Sequence, residues 1–264
     1  MAFCLEHCNR IPIQLRLFRE RALPDLGANI RCGNALIDID VYRDLLTDLS
    51  DEEPTEDDDQ PDEFNAFRWS NAFPFLTKSK GFDAIIGNPP WGADLSEPEL
   101  AYLRERHERV ISRMIDTYIY FFDKAMTLAK ANAPVGLIVP ATILNQVDAA
   151  PLRRLLIDRG VSVAVNLGRG IFGPNVLNTS AIIVTGTQRD DSGLRVADIT
   201  GLPLPLRREA LFGVPERSWR KWADGVATDP HATFMVGDER AAGILEKARR
   251  AGRQVLDVLA AVIE

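Results

Sequence analysis

Residues 81–91 read Gly-Phe-Asp-Ala-Ile-Ile-Gly-Asn-Pro-Pro-Trp. Phe82 to Ile86 is a compact apolar run of strand length, stopped abruptly by Gly87-Asn88-Pro89-Pro90. Two successive prolines remove two backbone donors and fix two φ angles, so the chain must leave the sheet as a stiff, extended corner.

Toward the C-terminus, Ile115, Tyr118, Ile119, Phe122, Ala125, Met126 and Ala129 recur at helical spacing, which predicts a helix over about 116–130 with one buried face. Residues 135–140 (VGLIVP) form a continuous apolar run, the pattern of a strand covered on both faces. Pro151 opens another helix and Gly160 closes it. Two further strands, 161–167 and 179–185, are joined by a glycine-rich connection. Toward the N-terminus, 29–37 (NIRCGNALI) reads as a short strand running into a Gly-Asn turn. Residues 43–80 are polar, acidic and proline-containing, an insertion or long loop with room for a short helix near 64–72. Residues 11–26 mix apolar and basic residues without a decisive period, and a last helix is expected over about 238–251. Strands alternating with helices indicate an α/β domain with a mainly parallel sheet.

With 264 residues, 46% apolar and 26% charged, the chain can bury one sizeable core and is too apolar for a disordered protein. The net charge of −7 argues at first against a nucleic-acid partner. Ten of the acidic residues, however, lie between Asp48 and Glu63, where there is no Lys or Arg; removing them leaves +3 on the remainder. Cys4, Cys8 and Cys32 make an odd count without disulfide spacing, which fits a reducing cytoplasm. His7 stands near two of them, but nothing downstream supplies a fourth zinc ligand, so no metal is expected. The longest apolar runs fall short of the roughly 20 residues that cross a bilayer, so no membrane span is expected.

In an open α/β sheet, ligands bind beyond the carboxyl ends of the strands, where the Asn88–Trp91 corner must lie. The Asn88 side-chain oxygen and the Pro89 carbonyl can each accept one N–H, and Trp91 offers a flat face. That set suits a planar group with an exocyclic amine. The lone pair of such an amine is delocalised into its ring, which makes it a poor nucleophile. Two acceptors aimed at its hydrogens draw the nitrogen toward sp3 geometry and stabilise the charge that develops on alkylation. The bland alternative is a strand-to-loop turn in which the prolines only block the sheet edge.

GFDAIIGNPPWG resembles the catalytic motif of S-adenosyl-L-methionine-dependent N6-adenine DNA methyltransferases, most closely the single-chain group of type IIG restriction-modification and BREX-type phage-defence enzymes. LPDLGANIRCGNALI is similar to that family's cofactor-adenine turn, and the resemblance implies cofactor contacts at Asn34, Ala35 and Asn88. DTYIYFFDKAMTLAKANAPVGLIVPATIL resembles its helix-then-strand block, and GIFGPNVLNTSAIIV its target-base hairpin. The resemblance, carried over 29–186, implies a Rossmann-like class I methyltransferase fold with an antiparallel terminal hairpin, incomplete at its N-terminus. It implies catalysis by Asn88, Pro89, Pro90 and Trp91 on an adenine flipped out of double-stranded DNA, with Trp91 and Phe172 stacking on its two faces. Phe172 also reads as an ordinary core aromatic of a hairpin.

The family's opening strand with Phe-x-Gly-x-Gly, and the acidic residue after it, are not found before Asn29. Gly168-Arg169-Gly170-Ile171-Phe172-Gly173 matches G-x-G-x-x-G, but Pro174-Asn175 and a β-branched strand follow, so it is expected to fail as a phosphate loop, which must open a helix. Residues 1–202 are therefore expected to form a partial catalytic domain, with a missing N-terminal half or partner subunit, and 203–264 a linker and the start of a target-recognition region. Arg207, Arg208, Arg249 and Arg250 there are candidates for phosphate contact, although exposed Arg more often serves solubility. Two other readings stay open: methylation of a glutamine amide or an RNA base amine by the same corner, and a non-catalytic remnant that binds DNA or a partner weakly.

Overall fold

The computed structural model describes residues 29–38, 40, 64–113, 116–173, 176–186 and 193–237. The segment 11–26, Cys4, His7 and Cys8, the acidic run and the helix expected over 238–251, with Arg249 and Arg250, lie outside the described residues.

The described elements are, in order, two short helices α1 (Trp69–Ala72) and α2 (Phe75–Ser79), strand β1 (Ile85–Gly87), helices α3 (Glu97–Arg106) and α4 (Thr117–Leu128), strand β2 (Val135–Pro140), helix α5 (Ala150–Arg159), strands β3 (Val161–Gly168), β4 (Ser180–Thr185) and β5 (Leu194–Asp198), helix α6 (Leu204–Phe212), strand β6 (Glu216–Arg217) and helix α7 (Trp219–Ala227). The strands form one sheet in the order β1-β2-β4-β3-β5-β6. β1 runs parallel to β2 and β3 parallel to β5, while β4 is antiparallel to both its neighbours and β6 to β5. Four strands thus point one way, and β3 and β4 form the antiparallel hairpin.

Alternation fixes the core. Val135, Leu137 and Val139 of β2 are buried in the main cluster with Ile119, Phe122 and Met126 of α4 and Leu152 and Leu156 of α5. On the other face, Ile138 packs against a second cluster formed by Val165, Leu167, Ile199 and Val214. The continuous apolar run of β2 is therefore covered on both sides. Helix α4 buries more than the single face its spacing predicts. Tyr120 enters a third cluster with Leu36, Ile37, Phe64, Tyr102 and Leu103. Asp123 accepts from Arg109 Nε at 2.5 Å, with His107 Nδ1 2.7 Å from its other oxygen. The helix is a wall shared by two cores.

Several expectations change. Residues 29–37 form no strand: Asn34 makes one isolated bridge to Ala66. Gly33 sits at φ +153° and the Asn34 side chain caps the Leu36 amide at 3.1 Å, so a turn closes where a ladder would have to extend. The strand read at 82–86 is only Ile85–Gly87, because Phe82 instead bridges to Ala129 at the end of α4. Residues 64–80, read as part of a polar insertion, hold an aromatic cluster in which Phe67, Trp69, Phe73, Phe75 and Phe82 meet ring to ring. Helix α3, which the periodicity did not show, is opened by a full capping box from Ser96 and Glu99. The core also continues past residue 202, since Val226, Ala232, Phe234 and Val236 join the main cluster.

No described helix is long and apolar enough to cross a membrane. Gly186 ends β4 at φ +103°, and a Cβ there would collide with the Ala133 carbonyl oxygen. Gly186→Ala is expected to lower the unfolding free energy by about 2–4 kcal/mol, from a left-handed backbone plus backbone overpacking. Urea unfolding checks this, and a change below about 0.5 kcal/mol would contradict the clash.

Candidate functional site

The corner begins where β1 stops. Gly87 is the last residue paired to β2, and Pro89 is buried behind exposed Asn88. Asn88 makes no hydrogen bond to any described residue, and the Pro89 carbonyl accepts none, so both oxygens are available. The next carbonyl is not: Pro90 accepts from the Thr117 hydroxyl at 2.8 Å. The Gly92 amide donates to Asp116 Oδ1 at 2.8 Å.

A cavity of about 650 Å³ lies on one side of this corner, within the range that holds a nucleoside-sized ligand. Asn88, Pro89 and Pro90 form one edge and Asn34 and Ala35 another; Phe67, Trp69, Phe73 and Phe82 supply aromatic walls. The turn that carries Asn34 is held from several directions. Asn34 N donates to Asn65 O at 2.6 Å, Phe67 N to Ile37 O at 2.8 Å, and the Trp69 indole to Ala35 O at 3.0 Å. Because Asn34 Oδ1 is spent on Leu36, its amide NH2 is the group left to donate into the cavity.

The sequence reading missed the floor of the cavity. Phe121, Lys124, Ala125 and Leu128 line it from α4, at a helical spacing that forms a second stripe beside the core face. Burial lowers the Lys124 ammonium pKa, an effect that Asp38 and Asp40 oppose. Lys124 makes no hydrogen bond or ion pair with a described residue.

Trp91 and Phe172 do not line the cavity. They meet each other instead, with ring centroids 5.5 Å apart at 74°, edge to face. Trp91 packs against the main core, its indole N–H buried without an acceptor among the described residues, whereas Phe172 is 43% exposed. Phe172 sits in the turn between Gly170 and Gly173, at φ +84° and +111°. Among the described residues no helix follows this turn before β4, and β3 and β4 pair antiparallel across it, so the G-x-G-x-x-G run lies in a hairpin connection.

Among the basic candidates, Arg207 is occupied. Its guanidinium donates to the carbonyls of Leu167, Arg169, Thr200 and Leu202, tying α6 to the end of β3. These four bonds make it a structural tie. Arg208 is exposed on the same helix.

A model of the Eco57I restriction-modification methylase family matches residues 11–172. The chain belongs to that family. A Methanocaldococcus jannaschii protein that carries the name of a type II restriction enzyme and methyltransferase is 32% identical over 90 residues, 34% of this chain. This Eco57I-family chain spans 7% of that relative's length. Among solved structures, the nuclease-deleted type ISP restriction-modification enzyme LlaGI, in complex with a DNA substrate mimic, superposes with a TM-score of 0.51 at 15% identity, over 84% of this chain and 19% of its own. The type IIG restriction endonuclease BpuSI gives a TM-score of 0.40 at 15% identity, over 55% and 20%. LlaGI's likeness bears on fold alone.

Proposed function

We propose that this chain is the catalytic portion of a restriction-modification methyltransferase that transfers a methyl group from S-adenosyl-L-methionine to N6 of adenine in double-stranded DNA. The observation that carries this reading is the corner itself: two uncommitted oxygens, Asn88 Oδ1 and the Pro89 carbonyl, on residues that line a nucleoside-sized cavity and adjoin Trp91 of an aromatic pair. The cavity fits the cofactor's adenosine, with Asn34 donating to a ring nitrogen, the Ala35 turn along one edge and the phenyl and indole walls around it. Asn34, Ala35 and the aromatic walls would hold S-adenosyl-L-methionine, which would supply an electrophilic methyl: the amine nitrogen would bond the methyl as the sulfur–carbon bond breaks, leaving S-adenosylhomocysteine and releasing one amine proton to solvent. The two oxygens accept the two N–H bonds of the target amine and hold it at the corner. Trp91 and Phe172 separate to admit the base between them, which offsets the few kcal/mol of unstacking. A further segment or partner subunit completing the cofactor cradle, a linker after residue 202 that still packs on the main core before a target-recognition region begins, and phosphate contact by Arg208 belong to the same reading.

The test is transfer of a labelled methyl group by the chain, in its natural polypeptide, to adenine-containing duplex DNA and separately to a glutamine-bearing protein. Label in N6-methyladenine after nucleoside digestion supports the reading; label in protein amide, or in neither substrate, overturns it. Phe172→Ala is expected to weaken base capture by about 1–3 kcal/mol, the worth of one stacking partner. Fluorescence of 2-aminopurine at the target position measures this, and unchanged emission would remove Phe172 from the clamp.

A further inference from the structure

We propose that Asp116 and Thr117, at the start of α4, are positioning residues that set the corner for the reacting amine. The proposal rests on the methyltransferase reading above and adds a brace to it. The proline rings fix φ at positions 89 and 90, so the corner keeps freedom mainly in ψ of Pro90 and in the torsions of Trp91. The structure holds both peptide groups that flank Trp91. Thr117 Oγ donates to the Pro90 carbonyl at 2.8 Å, and Asp116 Oδ1 accepts from the Gly92 amide at 2.8 Å. The hydroxyl also lies 3.3 Å from Asp116 Oδ1, so the nearer Pro90 oxygen takes its single hydrogen. With Pro90's carbonyl taken by Thr117, Pro89's is the one left uncommitted among the described residues.

The way these side chains are spent supports the assignment. Asp116 occupies the N-cap position of α4 but makes no side-chain cap, although capping is the ordinary use of Asp there. It reaches instead to residue 92, 24 positions earlier in the chain. Thr117 is 3% exposed, so its hydroxyl needs a partner within the fold, and the one it has is the corner. Because α4 also carries Phe121 and Lys124 into the cavity, one helix fixes the floor of the cavity and the height of the corner together.

Four variants of the full chain test this: Thr117→Val, Thr117→Ser, Asp116→Ala and Asp116→Asn. Thr117→Val keeps the shape and loses the hydroxyl; Asp116→Asn keeps an oxygen acceptor. Thr117→Val and Asp116→Ala are each expected to lower kcat for methyl transfer by about 10- to 100-fold, the penalty of a small misplacement of reacting groups. The cofactor Kd stays within about twofold, and Thr117→Ser and Asp116→Asn recover most of the turnover. Exchange of the Gly92 amide hydrogen in the free protein should be at least about tenfold faster in Asp116→Ala and near native in Asp116→Asn. Native kcat in Thr117→Val and Asp116→Ala overturns the proposal. So does a loss of kcat matched by an equal loss of cofactor affinity, the mark of a merely structural role. If the unaltered chain methylates no DNA, the methyltransferase reading falls by itself and amide exchange judges the brace: an unchanged rate at Gly92 in Asp116→Ala overturns it, and a faster one supports it.

Discussion

Asn88→Ala is expected to lower methyl transfer by about 10²- to 10³-fold, the range seen when one preorganised hydrogen-bond partner of a developing charge is removed. Cofactor affinity should change less than about threefold, because uniform binding would be untouched while an interaction specific to the transition state is lost. The reason is geometric. Asn88 stands exposed at the rim of the cavity with its amide uncommitted, so its removal breaks no contact that holds the fold. Asn88→Asp should retain far more activity than Asn88→Ala, since a carboxylate oxygen still accepts an N–H. Single-turnover transfer of labelled methyl, with calorimetry for the cofactor, measures the two quantities separately. Parallel loss of both would assign Asn88 to cofactor binding instead.

Arg153→Met is expected to cost about 3–5 kcal/mol of stability, the largest effect away from the corner. Arg153 is fully buried in α5, and its guanidinium donates to Ala232 O at 2.8 Å, Ile143 O at 2.7 Å and His231 O at 2.7 Å. Burial lowers its pKa to about 10, so the charge remains at neutral pH. Two effects compete in the variant. Methionine spares the desolvation of one cation, but it strands three carbonyls, each worth about 1–3 kcal/mol when left unpaired inside a protein. The second effect is the larger. The segment that carries Phe234 into the main core, with its amide bonded to Leu144 O, would lose its main tie. A shift in urea midpoint with an unchanged m-value is the expected record; a loss below about 1 kcal/mol would mean that water satisfies the carbonyls.

Much of the sheet could be read from periodicity and punctuation because those signals are local. The β2 run, the Pro151 and Gly160 boundaries of α5 and the β3–β4 hairpin each follow from a few adjacent residues. β5 carried its own signal in the alternation of buried Leu194 and Val196 with exposed Arg195, yet the short, punctuated surroundings hid it. The failures are nonlocal. At Asn34 a single side chain chose its own backbone over a ladder, and what decided between the two was Asn65 and Phe67, some thirty residues away. Residues 64–80 looked polar because their aromatics are spaced irregularly, and only tertiary contact gathers them into a wall.

The corner was legible as a stop, since two prolines end β1 at Gly87. Its supports were not. Nothing in an Asp-Thr pair announces that it will grip a turn 24 residues earlier, and nothing in Arg207 announces four backbone acceptors.

The touching rings of Trp91 and Phe172 carry a thermodynamic consequence. In the resting state each ring already has a partner, so a planar guest must exchange an existing aromatic contact for its own. That contact is worth about 0.5–1.5 kcal/mol, which reduces apparent affinity about 2- to 13-fold for every guest alike. A guest that covers both rings recoups the toll twice over, whereas one that reaches a single ring barely breaks even. On the proposed reading, the shut jaw would favour a fully extruded base over a transient or partly unstacked one before any hydrogen bond is read.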